Sequence, residues 1–108
     1  MMTDSFPVPY FAVIFTSLHT PDAAEDYAIA AQRMLELVRE QPGFLGVESA
    51  RGSDGLGITV SYWASEAAIL AWKDHPEHRE IRGLGRSTWY QRYSTRVTRV
   101  ERDYSYSA

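Results

Sequence analysis

The sequence predicts an α+β domain in which a four-stranded antiparallel sheet carries two helices on one face. Three observations predict it. Four β-forming runs and two amphipathic segments with helix caps follow one another in the order β-α-β-β-α-β. The second and third runs are joined only by Gly52-Ser-Asp-Gly55, which forces an antiparallel hairpin. The first three strands carry apolar residues in both phases of their alternation, so the sheet needs cover on both sides. This order is the split βαβ, ferredoxin-like arrangement.

Residues 1–9 are polar and proline-bearing and are expected to form a flexible arm. A single domain should span 10–104, with 105–108 as a tail. Tyr10-Phe-Ala-Val-Ile-Phe-Thr-Ser17 is a continuous β-forming run and predicts a strand buried on both faces. Thr20-Pro21-Asp22 supplies an N-cap, a proline for the first helical position and a first-turn acid. Tyr27, Ala31, Met34 and Val38 then recur at helical spacing, opposite Glu25, Gln32, Arg33, Glu36 and Glu40, until Pro42-Gly43 stops the helix.

Phe44 to Arg51 and Leu56 to Trp63 are the second and third strands. Ser65 caps a second helix that runs from Glu66 to Asp74, and Pro76 breaks or restarts it, with an end near Gly83 and Gly85. Ser87 to Tyr104 reads as a long last strand. Trp89, Gln91, Tyr93, Thr95 and Val97 share one phase while Val100 falls in the other, which predicts a bulge near Thr98 and a bend toward a partner subunit.

Composition excludes several classes. The formal net charge of -3 and a pI near 5.5 oppose a phosphate-binding surface, so no nucleic-acid partner is expected. The Arg92, Arg96, Arg99 and Arg102 series is broken by Glu101 and Asp103. The absence of cysteine excludes disulfides, thiolate ligands and cysteine nucleophiles. The run from Tyr10 to Leu18 is too short to span a bilayer, and Met1 to Tyr10 lacks the pattern of a secretory signal, so a cytoplasmic protein without a membrane partner is expected. Three Trp, seven Tyr and four Phe are a heavy load at this length, and some should line a pocket or a partner surface.

Pro42-Gly-Phe-Leu-Gly-Val-Glu-Ser49, Ser61-Tyr-Trp63, Ala71-Trp-Lys-Asp-His-Pro-Glu-His78, Gly85 and Trp89-Tyr90 together resemble the antibiotic biosynthesis monooxygenase family. The resemblance covers residues 10 to 104, and the phrase from Trp72 to His78 is its most specific part. It implies a homodimer of ferredoxin-like subunits, a dimeric α+β barrel. Some members oxidise polycyclic aromatic substrates with neither metal nor flavin, and others degrade haem. Haem-degrading members use an asparagine on the first strand, a tryptophan on the second helix and a histidine ligand about three turns later. Trp72 matches the tryptophan. The first strand has Phe15, Thr16 and Ser17 but no asparagine, and the ligand position falls near Arg82.

The candidate residues follow. His75 and His78 are candidate general bases. As an i,i+3 pair they could also ligate a metal, but only His19 and scattered carboxylates could complete the set, so no metal is expected. Trp72, Tyr62, Trp63, Trp89 and Tyr90 are candidate walls for a flat aromatic ligand, against the alternative that they simply pack the core. Arg82 and Arg86, flanking Gly83-Leu-Gly85, could hold a phenolate or carboxylate. The expected function is cofactor-independent monooxygenation of a small quinol or anthrone-like substrate. The alternative is a non-catalytic barrel that binds a small apolar ligand or acts in stress physiology; haem degradation is the third reading. Any active site is expected between the helices and the sheet.

Overall fold

The computed structural model describes residues 2–21 and 24–108. In chain order the elements are β1 (Tyr10–His19), α1 (Ala24–Val38), β2 (Phe44–Arg51), β3 (Leu56–Trp63), α2 (Glu66–Lys73), α3 (Pro76–Leu84), a π-helical turn (Gly85–Trp89) and β4 (Tyr90–Val100). The strands form one antiparallel sheet in the order β2-β3-β1-β4. The predicted α+β, ferredoxin-like fold is therefore present.

Residues paired across antiparallel strands point to the same side, so the register sorts the sheet into two faces. Phe11, Val13, Phe15 and Ser17 of β1 share a face with Trp63, Ser61, Thr59 and Gly57 of β3 and with Thr95, Val97 and Tyr93 of β4. This face meets the helices, as the contact of His19 with Tyr27 of α1 shows. Ala12, Ile14 and Thr16 share the second face with Tyr62, Val60, Ile58, Gly46, Glu48 and Ala50.

On α1 the buried stripe is Ala30, Leu37 and Val38, with Tyr27, Ala31 and Met34 half-buried, so it is wider than the predicted spacing. Thr20 is the expected cap, and the amides it would hold lie outside the described residues. Its hydroxyl donates to the Thr88 carbonyl at 2.9 Å and its N–H to that of Trp89 at 2.8 Å, tying the end of β1 to the π turn. The expected first-turn acid, Asp22, lies outside the described residues. Ser65 caps α2 as predicted, accepting from the Ala68 N–H at 3.1 Å. At Pro76 the helix restarts: His75 is the N-cap of α3, and its Nδ1 accepts from the Glu77 N–H at 3.2 Å.

The restarted helix ends near Gly83 and Gly85 as expected: α3 stops at Leu84 with Gly85 as its C-cap, and the π turn follows directly. Gly85 has an ordinary helical φ of -58°; a Cβ there would lie 2.8 Å from Tyr90 Cε2, so glycine serves ring packing. No bulge occurs near Thr98. Pairing with β1 is regular from Val100 to Arg92, and the shift falls between Leu18 and His19, opposite Gln91. The predicted bulge near Thr98 is thus absent, and β4 stays regularly paired with its own β1 from Arg92 to Val100. Val100 is apolar because it lies opposite Tyr10 on the second face.

Part of that face is covered by the chain itself. The Phe6 ring lies 5.3 Å from Tyr10 and 5.6 Å from Tyr62, and the Thr3 N–H donates to Glu48 Oε2 at 3.1 Å. Gly46 admits this arm, since a Cβ there would meet Thr3 Cγ2 at 2.9 Å. Beyond the arm, Leu56 and Ile58 remain 47% and 45% exposed.

Trp63 is 1% exposed, with its ring against Phe44 and its indole N–H donating to Ser61 Oγ at 2.9 Å. Replacing it by alanine leaves a cavity under the helices and should cost roughly 3–5 kcal/mol in urea unfolding. Leu70→Ala, at a site 59% exposed, should stay within about 0.5 kcal/mol.

Candidate active site

The residues singled out on the second helical segment come together at the α2–α3 junction. The Trp72 and His78 rings stack at 4.4 Å and 12°, with His75 5.5 Å from the indole. His78 Nδ1 lies 2.9 Å from the Trp72 carbonyl oxygen. A carbonyl only accepts, so Nδ1 carries the proton and Nε2 is the basic nitrogen. Burial lowers the His78 pKa, the Trp72 carbonyl opposes this, and the charge of Arg82 adds to the lowering. Arg82 Nε is buried without a hydrogen-bond partner. Both histidines thus serve the helix junction, His75 as cap and His78 as stacked strut.

The aromatic set does not form one wall. Tyr62 and Trp63 are neighbours on one strand and face opposite sides. Trp63 enters the helix-side core. Tyr62 donates to Glu48 on the second face, and burial, then that carboxylate, pushes its pKa up to about 12. Trp89, 7% exposed, packs on Ala30 and Tyr27. Tyr90 is half-buried beside it, and Arg86 Nε donates to the Tyr93 hydroxyl at 2.8 Å.

The richest polar and aromatic cluster sits at the other end of the helix-side layer. The His19 ring lies 4.1 Å from Tyr27 and 5.4 Å from Tyr90. Phe15 and Tyr93 continue the aromatic surface, with Phe15 5.5 Å from Tyr90 and 5.3 Å from Tyr93. Arg51 Cζ stands 5.5 Å over the Tyr27 ring, and Nη2 donates to Ser17 Oγ at 3.0 Å.

The hairpin builds this arrangement. The Gly55 carbonyl accepts both the His19 N–H at 3.1 Å and Arg51 Nη1 at 2.5 Å. Gly55 itself has φ +88°, the left-handed region that glycine tolerates. His19 Nε2 is buried and has no hydrogen-bond partner. Burial, then the charge of Arg51, lowers the His19 pKa, so the ring is neutral at pH 7. Burial, then Tyr27, raises the Tyr90 pKa.

Sequence reasoning weighed His19 only as a third metal ligand and passed over Arg51, Tyr27 and Ser17. A histidine closing an apolar strand was the available signal. Their convergence depends on the hairpin folding back on β1, which no local pattern encodes.

Among the described residues no three His, Asp or Glu side chains converge on a metal position. Haem does not fit the family pattern here either. Arg82 stands where the ligand is expected, and a protonated guanidinium offers no lone pair.

A family model described as antibiotic biosynthesis monooxygenase matches residues 10–84. The "Uncharacterized protein YqjZ" of Bacillus subtilis (strain 168) is 51% identical over 94 residues, 87% of this chain and 82% of that protein. The fold recurs in PA3566 from Pseudomonas aeruginosa, with a TM-score of 0.72 at 15% identity over 93% of this chain and all of that one. It also recurs in Rv0793 from Mycobacterium tuberculosis, with a TM-score of 0.72 at 18% identity over 91% and 99% of the two chains.

Haemin titration should give no sharp Soret shift. A shift abolished by His78→Ala would show that His78 Nε2, rather than position 82, carries the ligand role.

Proposed function

The chain belongs to the antibiotic biosynthesis monooxygenase family, and from that premise we propose that it oxygenates a small, electron-rich aromatic substrate without a bound cofactor. The observation that carries this reading is the unpaired Nε2 of a neutral His19, set among Tyr27, Tyr90 and Phe15. A quinol or anthrone whose acidic hydrogen meets Nε2 loses a proton there. The resulting anion passes an electron to O2, and the radical pair recombines as a peroxide. Loss of water then leaves a carbonyl: the CH2 of an anthrone, or of the keto tautomer through which a quinol's ring C–H reacts, and O2 become C=O and H2O with no external reductant. Aromatic walls keep bulk water from the anion, and Arg51 offsets its charge. His19 takes the role of base because His75 and His78 already hold the helix junction.

One observation favours the alternative, a barrel that binds a small apolar ligand without turnover. The prominent hollows among the described residues are surface grooves open to solvent. One, of about 440 Å³, lies between α1 and α3; the other, of about 430 Å³, lies at the β2–β3 hairpin, and His19 lines neither.

Oxygen uptake with a panel of quinols and anthrones separates the two readings. Turnover is expected, and His19→Ala should lower kcat/KM by about 10²- to 10⁴-fold with circular dichroism unchanged. His78→Ala should have a much smaller effect. Since His19 must be neutral to act and its pKa is depressed, activity should rise with pH along a limb below 6.5, and the variant should lose that limb. Undiminished turnover in His19→Ala would remove it from the mechanism.

A homodimer is part of the same proposal. A second copy would cover Leu56 and Ile58 on the second face. Sedimentation velocity at micromolar concentration should give a dimer, and a monomer would refute this arrangement.

A further inference from the structure

We propose that Arg51 anchors the carboxylate of an aromatic acid whose ring lies against Tyr27 and Tyr90, which makes the substrate class a hydroxylated aromatic carboxylic acid. The hydroxyl half rests on the function proposed above; the carboxylate half stands on the following observations.

Arg51 ends an edge strand, where an arginine ordinarily extends into water. Here it folds inward across β3. The place it crosses is Gly57, where a Cβ would lie 2.4 Å from Arg51 Cζ, so any other residue at 57 would eject the guanidinium. The head is then fixed at two corners, by Ser17 Oγ at 3.0 Å and the Gly55 carbonyl at 2.5 Å, with Ser17 itself 2% exposed. A guanidinium has five N–H groups, so three remain. Among the described residues the ion pairs are those of Arg33 with Glu36 and Glu77, and Arg51 takes part in neither. The side chain remains accessible from solvent.

The surroundings select the ligand. Tyr27 lies beneath the cation and against His19, and Tyr90 against both Tyr27 and His19, so a planar ring placed there meets aromatic faces. The neighbouring cation, Arg86, is occupied by the Tyr93 hydroxyl. A single free guanidinium edge matches one planar carboxylate bidentately, whereas a phosphate dianion calls for more charge than the cluster offers. His19 Nε2, unpaired beside the same Tyr27 ring, is left to face a hydroxyl on the ligand.

The test is calorimetric titration at pH 7.5 with 2-naphthoate and its neutral isostere 2-naphthamide. The naphthoate should bind wild type more tightly than the amide, and Arg51→Gln should weaken it by about 10- to 100-fold while leaving the amide unchanged. Gly57→Ala, which displaces the guanidinium without removing it, should give a similar loss. Equal binding of the two probes, no naphthoate binding, or naphthoate binding undiminished in Arg51→Gln would each overturn the proposal. The experiment needs no turnover. Naphthoate binding through Arg51 in a protein that consumes no oxygen would sink only the oxygenase reading. Quinol oxidation by wild type that is lost in His19→Ala, with no naphthoate binding, would sink only this one.

Discussion

Strand β1 is hydrogen-bonded along both edges, to β3 from Phe11 to Leu18 and to β4 from Tyr10 to His19, so the direction of each of its side chains is set by backbone pairing. A one-residue slip would move Val13, Phe15, Ser17 and His19 to the second face and Ala12, Ile14 and Thr16 under the helices. The side chains on both faces of the sheet inherit this register. His19 meets α1 only because it shares parity with Phe15. Tyr62 meets the amino-terminal arm only because it shares parity with Ala12.

The helix-side layer is built for packing at one end and for polarity at the other. Around Trp63 and Phe44 the burial is apolar apart from the Trp63–Ser61 hydrogen bond. Around His19 the chain brings a cation, a buried serine, two tyrosines and a backbone carbonyl together, and small residues make room for them. Leaving His19 Nε2 buried without a partner costs about 1–3 kcal/mol. Apolar packing elsewhere offsets that cost, and an unpaired basic nitrogen in an aromatic surround is what proton abstraction requires.

The second face has its own logic. Tyr10 donates to Asp103 at 2.6 Å and Tyr62 to Glu48, and both phenols are pushed up to about 12, by burial first and the carboxylates next. The carboxylates are lowered in turn, by their tyrosines first. A carboxylate held below its unfolded value contributes stability at neutral pH, and that contribution fades as pH falls through its folded pKa. These pairs and the Ser5–Asp103 bond fasten both chain ends to one part of the sheet. The rest of that face, at Leu56 and Ile58, keeps its apolar surface for another occupant.

The element order, the hairpin at Gly52–Gly55, the Ser65 cap and the restart at Pro76 were all legible in the sequence, because each depends on propensity and spacing within a few residues. So was the two-faced character of β1, which periodicity alone reveals. The bulge was misplaced because Val100 was judged against one face when both bury apolar groups. Trp72 and His78 were found together because they lie within two helical turns. His19, Tyr27, Arg51 and Ser17 come from separate elements and meet only when the hairpin closes over the end of β1 and Gly57 leaves room for a guanidinium. Local chemistry determined the fold; the cluster is a product of register and turn geometry, which tertiary structure alone decides.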